Sequence, residues 1–396
     1  MASVFPLEIF ERIIDLSMDD ETPTWARREL LKWSRVSHAW RRQCLPLVLR
    51  KKTFSWPELT TLYSFRRQAL VWPDLASLIQ EVEVQQWLRP YGSQIEMMPF
   101  VIYPHLPRLR RVTINLKVNS IDRTHSHRYF RISRLRFDSV TELTLNGFLL
   151  RDTSELDVHL SMFPQTRTLC LRNVWWRPHT KKMWPRSPKL VPPIADLELT
   201  REGIGWKKWM LAADRVGLEV FLHSVGRTLT TLAINLPVIH SLTAGEEVPF
   251  ELENFCFPNL RSLRLTMDCA RTGTIEIQLA SSQTSYRDHI INIPKLILRL
   301  EAHNLLTLWL SFCVEFVQPD PGEFLQHLCH IVAPMESLIP TSSPRLQVVT
   351  FDVGSLEETI PWWNAQLRSI FAPLQELHAV EIRVPVRRLD RWGQLI

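Results

Sequence analysis

The chain of 396 residues carries a formal net charge of +6, and 45% of its residues are hydrophobic while 22% are charged. This balance is typical of a folded protein and excludes a disordered chain, and no apolar run approaches the roughly 18 residues that span a bilayer. Glu8 and Glu11 interrupt the apolar start of the chain, which argues against a secretory signal. We therefore expect a cytoplasmic or nuclear protein with no membrane partner.

Cysteine and glycine usage narrows the class further. The cysteines contain no Cys-x-x-Cys pair, which favours free thiols in a reducing compartment over a disulfide framework. Only 11 residues are glycine, and they form neither a phosphate-binding loop nor the G-x-S-x-G turn of a serine hydrolase. The cysteines are Cys44, Cys170, Cys256, Cys269, Cys313 and Cys329.

Residues 1–52 are predicted to form three short helices. Pro6 suits the first turn of the first helix, and an apolar stripe follows it. Thr24 is placed to cap a second helix, and a third begins near Ser37 and is expected to stop by Pro46. The core of so small a bundle is marginal, so the head gains stability by packing against the body or a partner.

Two basic stretches, residues 108–136 and 172–189, lie further along the chain. The second contains no acidic residue and includes Trp175, Trp176 and Trp184. Such segments can meet nucleic acid or an acidic protein. We favour solvated loops whose tryptophans pack onto the body, because charge runs usually form solvated faces. Nucleic acid is therefore not the partner we expect.

A short apolar phrase recurs ten times in residues 53–396. Its last two apolar positions are separated by one residue, so on a β-strand both point to the same face. The phrases are IQEVEV at 79–84, LRRVTI at 109–114, VTELTL at 140–145, TRTLCL at 166–171, IADLEL at 194–199, LTTLAI at 229–234, LRSLRL at 260–265, LLTLWL at 305–310, LQVVTF at 346–351 and LHAVEI at 377–382.

The spacing and polarity of these phrases predict an α/β fold with a parallel sheet on one face. The residues that separate the apolar pairs are mostly polar, as expected for strands with one wet face. Successive phrases lie 26 to 45 residues apart, which leaves room for a returning helix and is typical of an irregular leucine-rich-repeat solenoid. An α/β domain with coincidental leucine spacing is the alternative.

The repeats are irregular in three respects. The segments TIEIQL at 274–279 and KLILRL at 295–300 alternate strictly, which predicts an inserted hairpin near 274–300. Proline-containing segments at 184–193 and 334–344 are predicted to be loops. The Asn or Cys that regular repeats carry three residues after the last leucine is found only at Cys313, so no ladder of such residues is expected.

The head resembles the F-box family, which begins Leu/Phe-Pro-x-Glu-Ile/Leu and continues with an apolar helix and a Val-x-x-x-Trp sequence. The matching residues are Phe5, Pro6, Glu8, Ile9, Ile13, Val36 and Trp40. Phe5 stands where leucine is usual, and residues 18–25 lengthen the first loop. The following stretch, LPLVLRKKTF, is similar to the continuation found in the expanded F-box families of mushroom-forming fungi.

The resemblance implies a substrate-recognition subunit of an SCF-type (cullin–RING) E3 ubiquitin ligase. The head would dock on a Skp-type adaptor and through it on a cullin, while the body would select a protein target. The residues expected to bind the adaptor are Phe5, Pro6, Leu7, Glu8, Ile9, Ile13, Val36 and Trp40. The alternative is a leucine-rich-repeat scaffold or nucleic-acid-binding module whose helical head only caps the solenoid.

No catalytic constellation is found in the sequence. His327, Cys329 and His330 offer donors for a metal, but they lie in a segment predicted to be helical, and no fourth ligand stands at a recognisable spacing. Paired acidic residues such as Glu246 and Glu247 are expected to be solvated turn residues and not an acid–base dyad. We expect neither enzymatic activity nor a cofactor or metal.

Target recognition is expected on the outward face of the strands. A tryptophan among arginines and hydroxyl groups suits a protein target with acidic or phosphorylated side chains. The residues expected to face the target are Arg111, Asn115, Arg172, Arg264, Trp309 and Ser311. The alternative for Trp309 is that the inserted hairpin covers it.

Overall fold

The structure, a computed structural model, describes residues 24–55, 59–86, 98, 101–116, 136–150, 153–176, 192–201, 208–235, 238, 256–267, 292–312, 321–352, 360–378 and 381–383. The chain divides into two compact units, Met1–Lys117 and Val118–Ile396.

The described part of the first unit begins with two helices, α1 (Thr24–Trp33) and α2 (His38–Arg50). They confirm the second and third helices predicted for the head, whereas the first predicted helix lies outside the described residues. Leu30 of α1 is buried together with Cys44 and Val48 of α2. The head thus has a small apolar core of its own.

Pro46 does not end α2, contrary to the prediction, because the helix continues beyond it. Proline removes one backbone hydrogen bond from a helix. Cys44 and Val48 lie four residues apart on the buried face, so ending the helix at Pro46 would leave Val48 without its packing partners. The helix begins at Ser37, whose hydroxyl accepts the backbone N–H of Trp40 at 3.3 Å.

Three parallel strands of the first unit pair in chain order. The elements after α2 are β1 (Lys51–Ser55), α3 (Leu59–Val71), α4 (Pro73–Ala76), β2 (Glu81–Gln86), a 3₁₀ turn (Tyr103–His105) and β3 (Arg111–Leu116). The two phrases predicted to be strands here are confirmed as β2 and β3. Sequence reasoning missed β1, because Phe54 is its only buried residue and no apolar pair marks it.

In the described part of the second unit, eight parallel strands each pair with the next along the chain. They are β4 (Glu142–Asn146), β6 (Thr168–Arg172), β8 (Asp196–Thr200), β9 (Thr231–Asn235), β10 (Ser262–Met267), β11 (Thr307–Phe312), β12 (Val348–Asp352) and β13 (Glu381–Arg383). A separate short parallel pair is formed by β5 (Leu149–Leu150) and β7 (Trp175–Trp176). Seven of the remaining eight phrases are confirmed as strands, and the prediction of an α/β fold with a parallel sheet is correct. The phrase LHAVEI at 377–382 is confirmed only in part, because Leu377 and His378 belong to a helix and the described strand is Glu381–Arg383.

Burial alternates along the strands as predicted. In β9, for example, Leu232 and Ile234 are buried and Ala233 between them is half-buried. The exceptions among the described strands include Ser311 of β11 and Thr350 of β12, each of which is buried together with both of its neighbours. The strand face opposite the core is therefore partly exposed from β4 to β11.

Helices return the chain between strands of the second unit. The described ones are α5 (Thr153–Met162), α6 (Lys208–Val225), α7 (Asn292–Arg299), α8 (Pro321–Ser342), α9 (Ile360–Ile370) and α10 (Ala372–His378). Throughout the described ranges, no helix combines the length and the apolar character needed to cross a bilayer.

The prediction of an inserted hairpin near 274–300 is wrong for its second half, because residues 292–299 form α7. The buried residues of this segment are Ile293, Leu296, Ile297 and Leu300. This spacing of three and four residues is that of a helix face, and it prevails over the two-residue alternation of the same leucines. Pro294 lies in the first turn, where proline is tolerated. The first half, residues 274–279, lies outside the described residues.

Residues 334–342 are not a loop but the last part of α8. Pro334 and Pro340 each remove a backbone hydrogen bond, yet the helix passes through both. The buried side chains along its inner face include Leu328, Val332, Met335 and Ile339. Burial of this apolar stripe outweighs the missing hydrogen bonds.

Asparagine side chains link neighbouring strand ends, although not at the position that regular repeats use. The Asn235 amide donates to the carbonyl of Arg201 at 2.7 Å and accepts the Arg201 N–H at 3.0 Å. The Asn173 amide donates to Asn146 at 3.2 Å. Asn173 and Gly147 both have positive φ, 53° and 76°, where the chain turns after β6 and β4. Stacked turns are thus joined by side chains one or two residues after the last inward position.

Candidate functional site

The residues expected to bind the adaptor fall into two groups. Phe5, Pro6, Leu7, Glu8, Ile9 and Ile13 lie outside the described residues. Val36 and Trp40 are described, and they have different environments. The side chain of Val36, in the turn between α1 and α2, is 66% exposed, while Trp40 is half-buried.

Trp40 belongs to the packing of the head. Its ring meets that of Trp33 edge to face, with the ring centroids 6.0 Å apart, and both rings pack against the core of Leu30, Cys44 and Val48. Burial raises the pKa of the Cys44 thiol, as expected in an apolar core.

An exposed apolar patch remains at the turn of the head. It is formed by Val36 and by Leu31, which is 41% exposed. We call these two residues the turn patch. Further exposed apolar side chains follow on α3, α4 and the residue between them. They are Tyr63, Leu70, Val71, Trp72 and Leu75.

The outward strand face of the first unit is a network of paired charges. Glu81 lies 2.9 Å from the guanidinium of Arg50 and 3.5 Å from that of Arg111. Glu83 lies 2.7 Å from the Lys51 ammonium. The predicted target-facing Arg111 is therefore already engaged with a carboxylate.

Glu83 also accepts hydrogen bonds from the side-chain amides of Gln85 at 2.7 Å and Asn115 at 2.8 Å. Burial alone would raise the pKa of this carboxyl. The hydrogen bonds from Lys51, Gln85 and Asn115, together with the charge of Lys51, outweigh burial and hold the pKa below its usual value. Asn115, like Arg111, is thus engaged within the first unit.

The strand face from β4 to β8 is also paired. Arg172 lies 3.2 Å from the carboxylate of Glu198 in the next strand. Glu198 also accepts from the Cys170 thiol at 3.5 Å. Burial and the negative charge of Glu198 raise the pKa of Cys170 to about 11, so this thiol stays protonated and unreactive at neutral pH.

Arg264 and Trp309 lie side by side on the face of β10 and β11. The strand register places Arg264 between Ala233 and Trp309, and Trp309 opposite Thr350. Arg264 is exposed, and its guanidinium carbon lies 5.3 Å from the centroid of the indole ring. Trp309 is half-buried, and its Nε1–H is buried without a hydrogen-bond partner.

The prediction that Ser311 faces the target is wrong. Only 3% of the residue is exposed, and its hydroxyl donates to the carboxylate of Asp352 at 3.3 Å. Asp352 is fully buried opposite Ser311 in the register of β11 and β12. A buried carboxylate requires hydrogen-bond donors, so the Ser311 hydroxyl serves the fold and is not available to a target.

The tryptophans at the start of the second basic stretch pack into the fold, as predicted. Trp175 and Trp176 are buried, and the guanidinium of Arg201 stacks 4.3 Å from the Trp175 ring. Trp184 and residues 177–191 lie outside the described residues, as do residues 117–135 of the first basic stretch.

The candidate metal donors lie on α8, which confirms the predicted helix. Cys329 and His330 are exposed there. Within the ranges that the structure describes, no group of three or more His, Cys, Asp or Glu side chains is placed to hold a metal ion. Cys44, Cys170, Cys256 and Cys329 are free thiols, as expected, and Cys269 and Cys313 lie outside the described residues.

A polar groove of about 710 Å³ opens where β4, β6 and β8 begin. It is lined by Asp138, Thr141, Glu142, Gln165, Arg167, Thr168 and Asp196. The Thr168 hydroxyl donates a hydrogen bond to Asp196 at 3.4 Å, so one of the three carboxylates of the groove is already hydrogen-bonded. The groove mixes acidic and basic groups, with Arg167 among three carboxylates.

No protein-family model matches the chain, and no curated protein matches it at significant sequence similarity.

Proposed function

We propose that this protein is the substrate-recognition subunit of an SCF-type E3 ubiquitin ligase. Its F-box-like head binds a Skp-type adaptor and through it a cullin, and its body is an irregular leucine-rich-repeat solenoid that holds a protein target. The protein itself performs no chemistry in this role.

The exposure of Val36 is the observation that carries the proposal. A branched apolar side chain that is 66% exposed on a helical head gains most when a partner covers it. Val36 occupies the valine position of the F-box pattern, and Leu31, five residues earlier, is a second exposed apolar residue. A partner with an apolar docking surface would bury both.

The order of the strands supports the solenoid. In the main sheet of the second unit, the described strands β4, β6 and β8 to β13 pair in parallel in the order in which they occur along the chain. This is the arrangement of stacked repeats, in which each repeat contacts its neighbours, and it gives an extended face suited to binding a protein. Arg264 and Trp309 lie on that face, and Arg172 lies further along it.

Binding of a purified Skp-type adaptor to the full chain tests the docking role. We expect Val36→Glu to weaken adaptor binding about tenfold or more, because it places a carboxylate in an apolar interface. Trp362→Glu is the matched control, since Trp362 is also exposed but lies on α9 in the second unit. The proposal fails if the Val36→Glu chain binds the adaptor as tightly as the wild type or if the wild type does not bind.

A further inference from the structure

We propose that Arg264 and Trp309 form a recognition site for one anionic side chain of the protein target. The ligand is a carboxylate or a phosphorylated hydroxyl presented on an extended segment along β9 to β12. That the ligand belongs to a protein target rests on the proposed function. The anion site itself rests on the geometry of β10 and β11.

Arg264 differs from the other arginines of the predicted target-facing set in that no described carboxylate neutralises its charge. Arg111 is paired with Glu81, and Arg172 is paired with Glu198. Arg264 has Ala233 on one side and Trp309 on the other in the strand register, and no carboxylate of the described residues pairs with it. A guanidinium stays charged at physiological pH and binds carboxylates and phosphates through two parallel hydrogen bonds.

The indole of Trp309 provides the second half of the site. Stacking at 5.3 Å orients the planar guanidinium and leaves its N–H edge available to a ligand. The Nε1–H of the same indole is buried without an acceptor, which is unusual because buried polar groups are normally hydrogen-bonded. A small shift of the Trp309 ring would bring its Nε1–H to an anion bound at Arg264. The anion would then accept hydrogen bonds from both the guanidinium and the indole.

The neighbouring side chains leave space for a ligand. Ala233, beside Arg264 on β9, has only a methyl group. Thr266 lies two residues after Arg264 on the same strand and is half-buried, so its hydroxyl also faces this part of the sheet. The site therefore consists of one cation, one aromatic ring and one hydroxyl, and arginine and tryptophan are the residue types that most often dominate binding energy at protein interfaces.

A protein ligand suits this face better than nucleic acid. A nucleic-acid backbone presents regularly spaced phosphates and is held by several cations. Among the described side chains, Arg172 is already neutralised by Glu198, whereas Arg264 pairs with no carboxylate, so these two arginines do not form a row of cations for successive phosphates. Retention of nucleic acid by this site is nevertheless a defined outcome of the test.

The experiment measures binding of the full chain, without the adaptor, to an immobilised array of matched random peptides. The central residue is serine, phosphoserine, glutamate or lysine, and the flanking composition is the same in all four sets. We expect the wild type to retain the phosphoserine or the glutamate set about tenfold more strongly than the serine set. The stronger of the two sets identifies the source of the anion.

Substitutions at Arg264 and Trp309 test whether these two residues cause the preference for anionic peptides. Arg264→Glu should abolish it, and Arg264→Lys should weaken it several-fold, because lysine keeps the charge but loses the paired hydrogen bonds and the stacking. Trp309→Phe keeps a ring and removes the N–H, so we expect a partial loss. Arg345→Glu is the control, because it makes the same charge change at an exposed arginine just before β12, in neither strand of the site.

Several outcomes would overturn the anion site. These are a wild type without preference for anionic peptides, an Arg264→Glu chain that keeps the preference, or equal losses in Arg264→Glu and Arg345→Glu. Retention of single-stranded or duplex DNA that disappears in Arg264→Glu would assign the site to nucleic acid instead. Thermal unfolding and adaptor binding of each variant are measured alongside, so a folding defect is recognised, and failure to bind the adaptor bears on the proposed function alone.

Discussion

The two units of the chain expose different kinds of surface. Of the eight large apolar side chains that are exposed among the described residues, seven lie in the first unit and only Trp362 lies in the second. The seven are Leu31, Val36, Tyr63, Leu70, Val71, Trp72 and Leu75. Large exposed apolar groups mark surfaces that a partner covers. Among the described residues, the first unit therefore exposes most of the apolar surface that a partner could cover, whereas the large apolar side chains of the second unit are mostly buried or half-buried.

The charges on the strand faces differ in the same way. In the first unit Arg50, Arg111 and Lys51 are matched by Glu81 and Glu83. In the second unit Arg264 lies beside an aromatic ring, and no carboxylate in the described part of the chain pairs with it. A neutralised strand face contributes little to recognition, while an unmatched guanidinium selects an anion. From this comparison we expect substitutions in the two units to have different effects. Some should lower stability, some should weaken adaptor binding and some should weaken target binding.

The largest expected effect concerns the ion pair between α6 and α7. The guanidinium of Arg299 lies 3.0 Å from Glu219, whose side chain is 1% exposed. Arg299→Met removes a cation from this buried carboxylate, and we expect the free energy of unfolding to fall by about 3 kcal/mol in urea titrations. Arg50→Met, which removes an exposed partner of Glu81 in the first unit, should cost only about 0–1 kcal/mol. Equal costs would show that the second unit does not depend on this pair.

The next effect separates packing from docking within the head. Trp40 packs against Trp33 and the small core, so Trp40→Ala should lower the free energy of unfolding by about 3 kcal/mol. Val36 is exposed, so Val36→Ala should change stability by at most about 0.5 kcal/mol while weakening adaptor binding. Urea unfolding and adaptor binding are measured on both variants. A Val36→Ala chain that loses stability but keeps full adaptor affinity contradicts the division of roles.

The smallest effect is a change in the pH dependence of stability caused by Glu83. Its pKa is held below the value of the unfolded chain, so the folded state favours the charged carboxylate. The resulting stability is present above the unfolded pKa, about 4.3 for glutamate, and is lost as the pH falls through the lower folded value. Glu83→Gln should therefore be less stable than the wild type at neutral pH, with the difference shrinking in acid. Parallel unfolding curves at every pH would contradict this role for Glu83.

The strands were the part of the fold that sequence reasoning predicted best. Nine of the ten phrases form parallel strands and the tenth does so at its end, and Leu232 and Ile234 illustrate why. A two-residue apolar alternation is a local property of the chain, and it has a single meaning once one face of a strand is buried. β1 lacked that signal, because its strand character comes from hydrogen bonding to β2 and not from its own side chains.

Helices that compete with other patterns were predicted less well. Leu296 and Leu300 of α7 fit both a strand and a helix, and only burial together with Ile293 and Ile297 selects the helix. Pro334 and Pro340 are local signals for a loop, yet tertiary burial of α8 overrides them.

The candidate site shows the same limit. Sequence patterns placed Arg264 and Trp309 on one strand face, and the register brings them into contact. The same patterns gave no sign that Arg111 and Arg172 would be neutralised, because the partners Glu81 and Glu198 come from neighbouring strands. The burial of Ser311 opposite Asp352 was equally invisible.

The sequence by itself determined which segments become parallel strands and which of their side chains face the core, because apolar periodicity acts within a few residues. Only the tertiary structure decided which outward side chains remain available to a partner. The 41-residue separation of Ser311 from Asp352 and the 80-residue separation of Arg299 from Glu219 show the reason. A charge or a hydroxyl is free or engaged according to its neighbours in space, and stacked strands bring those neighbours from distant parts of the chain.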